Sequence, residues 1–288
     1  MFAFKHRHMK TLFTLSALLI GLLTHAQMVG YSIQENSPED TRTNFVSIDF
    51  LGFDFGGNRN VNSLSIGANA NWQLQKGLGV DGVLSYKIVS EAGLPPFILF
   101  NAGGYKLKSS GKTKEKDIKV RIGGEFVTVD NKSAFSESYI MVPGNQYHQS
   151  GLRGGLYLFK KAYKDQAISG KPEVPYTSAG VYAGWMKTVK TNLVLKVDDV
   201  KKPLHYRGFT KVYFDLLLTP ISSFSYESQA HEEAAEVKNK LLGGRIGYMF
   251  YKDGPGVLDK ITWGSEIGVR PIDGFFIRAS IGYCIIRK

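Results

Sequence analysis

From Leu64 onward the apolar residues fall on even positions, Leu64, Ile66, Ala68, Ala70, Trp72 and Leu74, and polar or small residues fill the odd ones. A strict two-residue period puts one set of side chains on each face of an extended strand. The pattern breaks at Lys76-Gly77 and restarts at Leu78, Val80, Leu84, Tyr86 and Ile88. Two amphipathic strands of about ten residues, joined by a tight turn, make a hairpin long enough to cross a bilayer.

The alternation recurs along the chain. Asn44 to Phe55 carries Val46, Ile48 and Phe50 on one face and slips near Leu51-Gly52-Phe53, as a bulge would make it do. Later segments are marked by Ile118, Val120 and Ile122, by Leu152, Leu156 and Leu158, and by Val181, Ala183 and Trp185. Leu193 to Val197, Val212 to Leu218, Ile246 to Phe250 and Trp263 to Val269 follow, and Phe275 to Ile285 is the last. The pattern predicts an all-β fold, a transmembrane antiparallel up-and-down β-barrel of twelve strands over residues 44–288, with fourteen as the alternative. His231 to Leu241, rich in Ala and Glu with a Glu236–Lys240 pair at i,i+4, predicts a short helix inserted in a loop. Lys106 to Asp117, with five lysines, reads as a charged, solvated loop.

The first residues read differently. Lys5, Arg7 and Lys10 precede an apolar run from Thr11 to Leu23, and Thr24-His25-Ala26 fits a small-residue cleavage site. Residues 1–26 are therefore expected to be a cleaved signal peptide, and 27–43 a periplasmic lead-in. The apolar run is too short for a membrane helix.

Composition agrees with a barrel that hides its membrane character. Hydrophobic residues make up 43 % of the chain, Gly is high at 32, and Tyr (15) and Phe (18) far outnumber Trp (3). Every second strand residue of a barrel faces the lumen, so overall hydrophobicity stays ordinary. The net charge of +11 would suggest phosphate contacts in a nucleic-acid binder. Behind an export signal, the expected partners are outer-membrane lipid and lipopolysaccharide, with other envelope proteins and no nucleic acid.

The polar faces of the strands assign the lumen-lining charges. They are Asp81, Lys87, Lys119, Arg121, Glu125 and Arg153 in the first half of the chain. Asp215, Arg245, Glu266, Arg270 and Arg278 complete the set. In a narrow barrel these mixed charges must pair with one another; a wide barrel would leave them as a hydrated, net-basic lining that favours anions. Their length and mixed sign favour an occluded lumen.

The Gly-rich alternating strands and the closing run Gly274-Phe-Phe-Ile-Arg-Ala-Ser-Ile-Gly-Tyr283 resemble those of outer-membrane β-barrel proteins of Bacteroidota-type bacteria. That resemblance implies the bacterial outer membrane as location. Barrels of that kind usually end on an aromatic residue, whereas this sequence ends Ile285-Ile-Arg-Lys288.

His148-Gln149-Ser150-Gly151 resembles the His-x-Ser-Asn-Gly segment of outer-membrane phospholipase A, which implies a general base at His148 and a nucleophile at Ser150. Two residues apart on a strand, both side chains point to one face. The Asn of that segment is missing here. No spacing of His148, His205, His231 and Cys284 suits a metal, and no cofactor is expected. Cys284, the only cysteine, reads as a small buried residue. The sequence thus predicts a non-enzymatic outer-membrane barrel, either a minor channel or an accessory subunit of an envelope transport, secretion or assembly complex. A lipid-modifying esterase using His148 and Ser150 is the alternative.

Overall fold

The computed structural model describes residues 29–56, 63–88, 97–108, 111–129, 132–163, 174–198, 200–224, 241–271 and 274–287. The expected signal peptide, and all but Leu241 of the helix expected at 231–241, lie outside these residues. The described chain forms twelve strands: β1 (Tyr31–Asn36), β2 (Phe45–Gly56), β3 (Ser63–Gln75), β4 (Leu78–Lys87), β5 (Ile98–Leu107), β6 (Lys112–Val129), β7 (Lys132–Tyr163), β8 (Val174–Val197), β9 (Leu204–Phe224), β10 (Leu242–Lys252), β11 (Ile261–Arg270) and β12 (Gly274–Arg287). Antiparallel pairing runs β2-β3-β4-β5-β7-β8-β9-β10-β11-β12, and β12 returns to pair with β2. The result is a closed barrel.

Ten strands make the wall, not twelve, because β1 and β6 pair outside it. The cause is β7. At 32 residues it is far longer than a tilted membrane crossing of about 9–11 residues requires. Its second half pairs with β5 and β8, while its first half pairs with β6 along almost all of that strand. Pairing between β7 and β8 stops at Gln146↔Thr191; beyond it, Leu193 to Val197 of β8 pair with β1 instead. Lys112 to Asp117 is accordingly the start of a strand, correcting the loop expected there.

The β6–β7 hairpin does not stand free. Leu152 and Trp185 are register partners exposed on the outer face of the wall, and Val142 and Leu193 keep the same facing along their strands. Ile118, Val120 and Val142 pack against Leu193, Leu195 and Val197 in one buried cluster. The hairpin therefore folds over the outside of the end of β8.

The wall is apolar outside and charged inside. Leu84, Leu152, Leu156, Leu216, Ile246, Ile267 and Ile277 point outward and are 45–70 % exposed. Their inward neighbours Ser85, Arg153, Asp215, Arg245, Glu266 and Arg278 are at most 8 % exposed. A continuous apolar exterior around a charged interior is the pattern of a barrel in lipid.

Strand ends group the connections. At the end where β2 begins and β12 finishes, the terminal end, β3 and β4 are joined by Lys76-Gly77 alone. Gly77 adopts φ +79°, a left-handed conformation favouring glycine. The same end carries the 198–203 and 253–260 connections and the β6–β7 hairpin, and at the opposite end the connections span 57–62, 88–97, 164–173, 225–241 and 271–273.

The expected lead-in holds β1, which Asn192 and Arg207 tie down through Glu35. From there residues 37–44 must reach β2, which lies across the ten-strand circle from β8. They cross the mouth of the barrel, with Thr41 and Thr43 buried. Asn192 Nδ2 donates to Ser37 O at 3.1 Å on one side, and Asn71 Nδ2 to Thr43 O at 2.8 Å on the other.

Two outcomes follow. Leu216→Arg should cost about 2–4 kcal/mol in reversible urea unfolding from vesicles, as charge on the lipid face does. The Asn192 hydrogen bond, set against partial burial and helped by Arg207, holds the Glu35 carboxyl below its ordinary value. A depressed folded value means this tie is fully present above the unfolded value of about 4.3 and is lost as pH falls through the folded one. Amide protection of Tyr31 to Asn36 should therefore fall below about pH 4, and Glu35→Gln should remove that pH dependence.

Candidate functional site: the filled lumen

The inward positions of seven wall strands meet at mid-barrel. Arg153 (β7), Gly184 (β8), Asp215 (β9) and Arg245 (β10) are successive register partners, so three charges converge around a glycine. A Cβ at Gly184 would run into the Asp215 carboxylate, and one at Gly247 into the Tyr213 ring. Glycine at these inward positions makes room for long side chains from the neighbouring strands.

The contacts form a continuous chain. Lys211 Nζ lies 2.6 Å from Asp81 Oδ2, and Arg153 reaches the same oxygen at 3.4 Å. Arg153 Nε is 3.5 Å from Asp215 Oδ1, and Arg245 Nε donates to Asp215 Oδ2 at 2.9 Å. Arg245 Nη1 and Arg278 Nη1 both reach Glu266, at 3.3 and 3.4 Å. Tyr213 donates its hydroxyl to Glu266, and Arg278 donates to Ser85. The guanidinium of Arg153 lies 4.1 Å from the Tyr213 ring centre and 5.0 Å from that of Tyr182. Nearer the loop end, Arg270 Nη1 donates to Asp54 Oδ1 at 3.0 Å and stacks on Phe276 at 3.8 Å.

Asp49 completes the set, accepting from Asn69 in the field of Arg278. Arg153, Lys211, Arg245, Arg270 and Arg278 thus face Asp49, Asp54, Asp81, Asp215 and Glu266: five cations against five carboxylates. Charges withdrawn from water are tolerable only when paired in this way. The void among them is about 40 Å³, room for one or two water-sized molecules.

Apolar layers close the lumen on both sides of the network. Toward the loop end, Phe97, Leu99, Tyr157, Phe159, Tyr176, Tyr182 and Leu217 form one buried cluster. Toward the terminal end lie Tyr105, Leu107, Met186 and Tyr213, then Phe45, Phe209, Met249, Tyr251 and Cys284. Phe45 and Tyr251 stack with centroids 4.7 Å apart. Beneath them runs the 37–44 crossing.

Asp81, Arg153, Asp215, Arg245, Glu266, Arg270 and Arg278 are brought together or placed in the lumen, and Lys87 is buried near its loop end. Lys119, Arg121 and Glu125 are not in the lumen. They sit exposed on β6, outside the wall, where Arg121 pairs with Glu137 at 2.9 Å. Three members were missed: Lys211, Asp49 and Asp54. Lys211 alternates with Val212 and Phe214, which could have revealed it. The two aspartates were hidden by the bulge: inward facing changes from odd to even positions where the β2–β3 register shifts between Asp49 and Gly52.

His148 and Ser150 share the outer face of β7, not the lumen. Lys108, Lys112, Lys114 and Lys187 surround them. His148 Nδ1 is buried without a hydrogen-bond partner among the described residues, so nothing there orients the imidazole as a general base. Among the described residues no group of His, Cys, Asp and Glu could hold a metal ion.

Fold and lumen together define a transmembrane β-barrel with a filled interior. No family model matches the chain, and no curated protein matches it. Among solved structures it is similar to a substituted form of a Rh. blastica porin, at 9 % identity over 89 % of this chain and 100 % of that one, with a TM-score of 0.21.

Glu266 is the acceptor shared by two guanidinium groups and a phenol. Glu266→Ala should lower unfolding stability by about 3–5 kcal/mol, because it strands Arg245 and Arg278. Glu266→Gln should cost less. Urea titration followed by heat-modifiable gel mobility measures both.

Proposed function

We propose that the protein is a non-conducting β-barrel of the bacterial outer membrane that serves as an accessory subunit of an envelope transport, secretion or assembly complex. The observation that carries this reading is the occlusion of the lumen by a charge-balanced network between apolar layers. A solute pathway needs a hydrated lining with binding weak enough to release, and the interior charges here are spent on one another. The exterior charged surface is elsewhere, on the β6–β7 hairpin at the terminal end.

Apart from the β6–β7 hairpin, the longest connections, 88–97, 164–173 and 225–241, lie at the opposite end, which supports orienting the terminal end toward the periplasm, since barrels of this class keep their longer loops outside. The hairpin then faces the periplasm. It presents Phe126, 79 % exposed and packed at 4.9 Å on Phe135, with the Arg121 guanidinium 5.2 Å from the Phe135 ring centre. An exposed aromatic pair flanked by charge is suited to contact with another protein. The esterase reading is weaker, because His148 lacks an orienting partner and faces lysines.

Planar-bilayer recording tests this reading. The purified barrel, shown to be folded by heat-modifiable mobility, should insert without producing conductance steps. Steady anion-selective steps, with a reversal potential to match under a salt gradient, would overturn it in favour of a channel.

A further inference from the structure

Where the β6–β7 hairpin leaves the wall, it forms a crease against the outer face of the barrel. The crease encloses about 410 Å³ and is lined by Lys108, Lys112, Lys114 and Lys187, with His148 and Trp185 among the rest. The placement follows from register. Lys112 pairs with His148 on β7, and Ser150 on β7 pairs with Lys187 on β8, so their side chains share the outer face. All four lysines are exposed, and none pairs with a carboxylate of a described residue. No Asp or Glu among the described residues lines the crease. A second depression of about 500 Å³, lined by Lys76, Lys106 and Lys108, continues this basic surface around the rim.

The apolar belt starts directly beside it. Lys187 is two residues from Trp185 along β8, about 7 Å nearer the terminal end. Trp185 and its register partner Leu152 are 44 and 70 % exposed on the lipid-facing side. Uncompensated lysines one step beyond an exposed tryptophan and leucine match the depth of a lipid headgroup below its acyl chains. In the mid-barrel network, five cations are matched by five carboxylates. Here four cations gathered in one crease have no carboxylate partner among the described residues, which suits the crease to an external anion.

We propose that this crease is a binding site for an anionic phospholipid, its phosphate held by Lys112, Lys114 and Lys187 and its acyl chains laid along Trp185 and Leu152. The choice of phospholipid over lipopolysaccharide rests on the periplasmic orientation proposed above, which turns the crease toward the inner leaflet. His148 adds a ring nitrogen that has no partner among the described residues.

Native mass spectrometry and fluorescent-lipid titration of the delipidated, folded barrel in neutral detergent provide the test. Phosphatidylglycerol should bind saturably, and phosphatidylcholine much more weakly. The Lys112→Gln/Lys114→Gln/Lys187→Gln variant should weaken phosphatidylglycerol binding on the order of 100-fold. These side chains are exposed, so heat-modifiable mobility should not change. Equal binding by variant and parent, or no preference for the anionic lipid, would overturn the site. Tighter, lysine-dependent binding of lipid A would overturn the phospholipid assignment. The lipid titration does not depend on conductance, so a conducting barrel would defeat the accessory-subunit reading and leave this result standing.

Discussion

A charge taken out of water must find an opposite charge, and the interior of this barrel is arranged around that requirement. Ten strands enclose a lumen that side chains can fill. Once Arg153, Arg245 and Arg278 project into it, Asp81, Asp215 and Glu266 must project at matching heights. The glycines follow from the same constraint, because Arg153 and Arg245 each have a register neighbour with no side chain, Gly184 and Gly268. So do the stacked aromatics: Tyr213 and Tyr182 offer ring faces to guanidinium groups whose remaining surface would otherwise be unsolvated. Replacing a buried ion-pair network by apolar residues of similar volume is often neutral for stability. What the charges add is geometric, since ion pairs and hydrogen bonds between non-adjacent strands fix one register around the circle.

Much of this was legible in the sequence, for a definite reason. A period of two is strong wherever a strand has lipid on one side and polar groups on the other, and β3, β4, β10, β11 and β12 all obey it. Their inward residues, including Asp81, Arg245, Glu266, Arg270 and Arg278, could be read directly. Legibility failed where alternation no longer meant wall. Lys119, Arg121 and Glu125 alternate with Ile118, Val120 and Ile122 as a wall strand would, yet their apolar partners are the outer face of β8. Nothing local distinguishes packing against lipid from packing against another sheet. At Gly52 the opposite occurs: a register shift reverses the facing of β2, which hid Asp49 and Asp54.

The other departure is the length of β7. A strand that continues for 32 residues must leave the membrane, and its unpaired edges must then be covered. β6 covers one, and the space vacated beside β8 is taken by β1, whose attachment brings residues 37–44 across the mouth. The external hairpin and the closure of the terminal end are therefore consequences of one overlong strand. The crease with its unmatched lysines is a third.

The most direct measurement of occlusion is chemical access to the middle of the lumen. Ser280 borders the central void, and Ser280→Cys in a Cys284→Ser background places a single small thiol there. The folded barrel in lipid should resist a charged, membrane-impermeant thiol reagent added to either face, and should react fully once unfolded in urea. Rapid labelling of the folded protein would mean that water and ions reach the network, and the lumen would then be a pathway rather than a core.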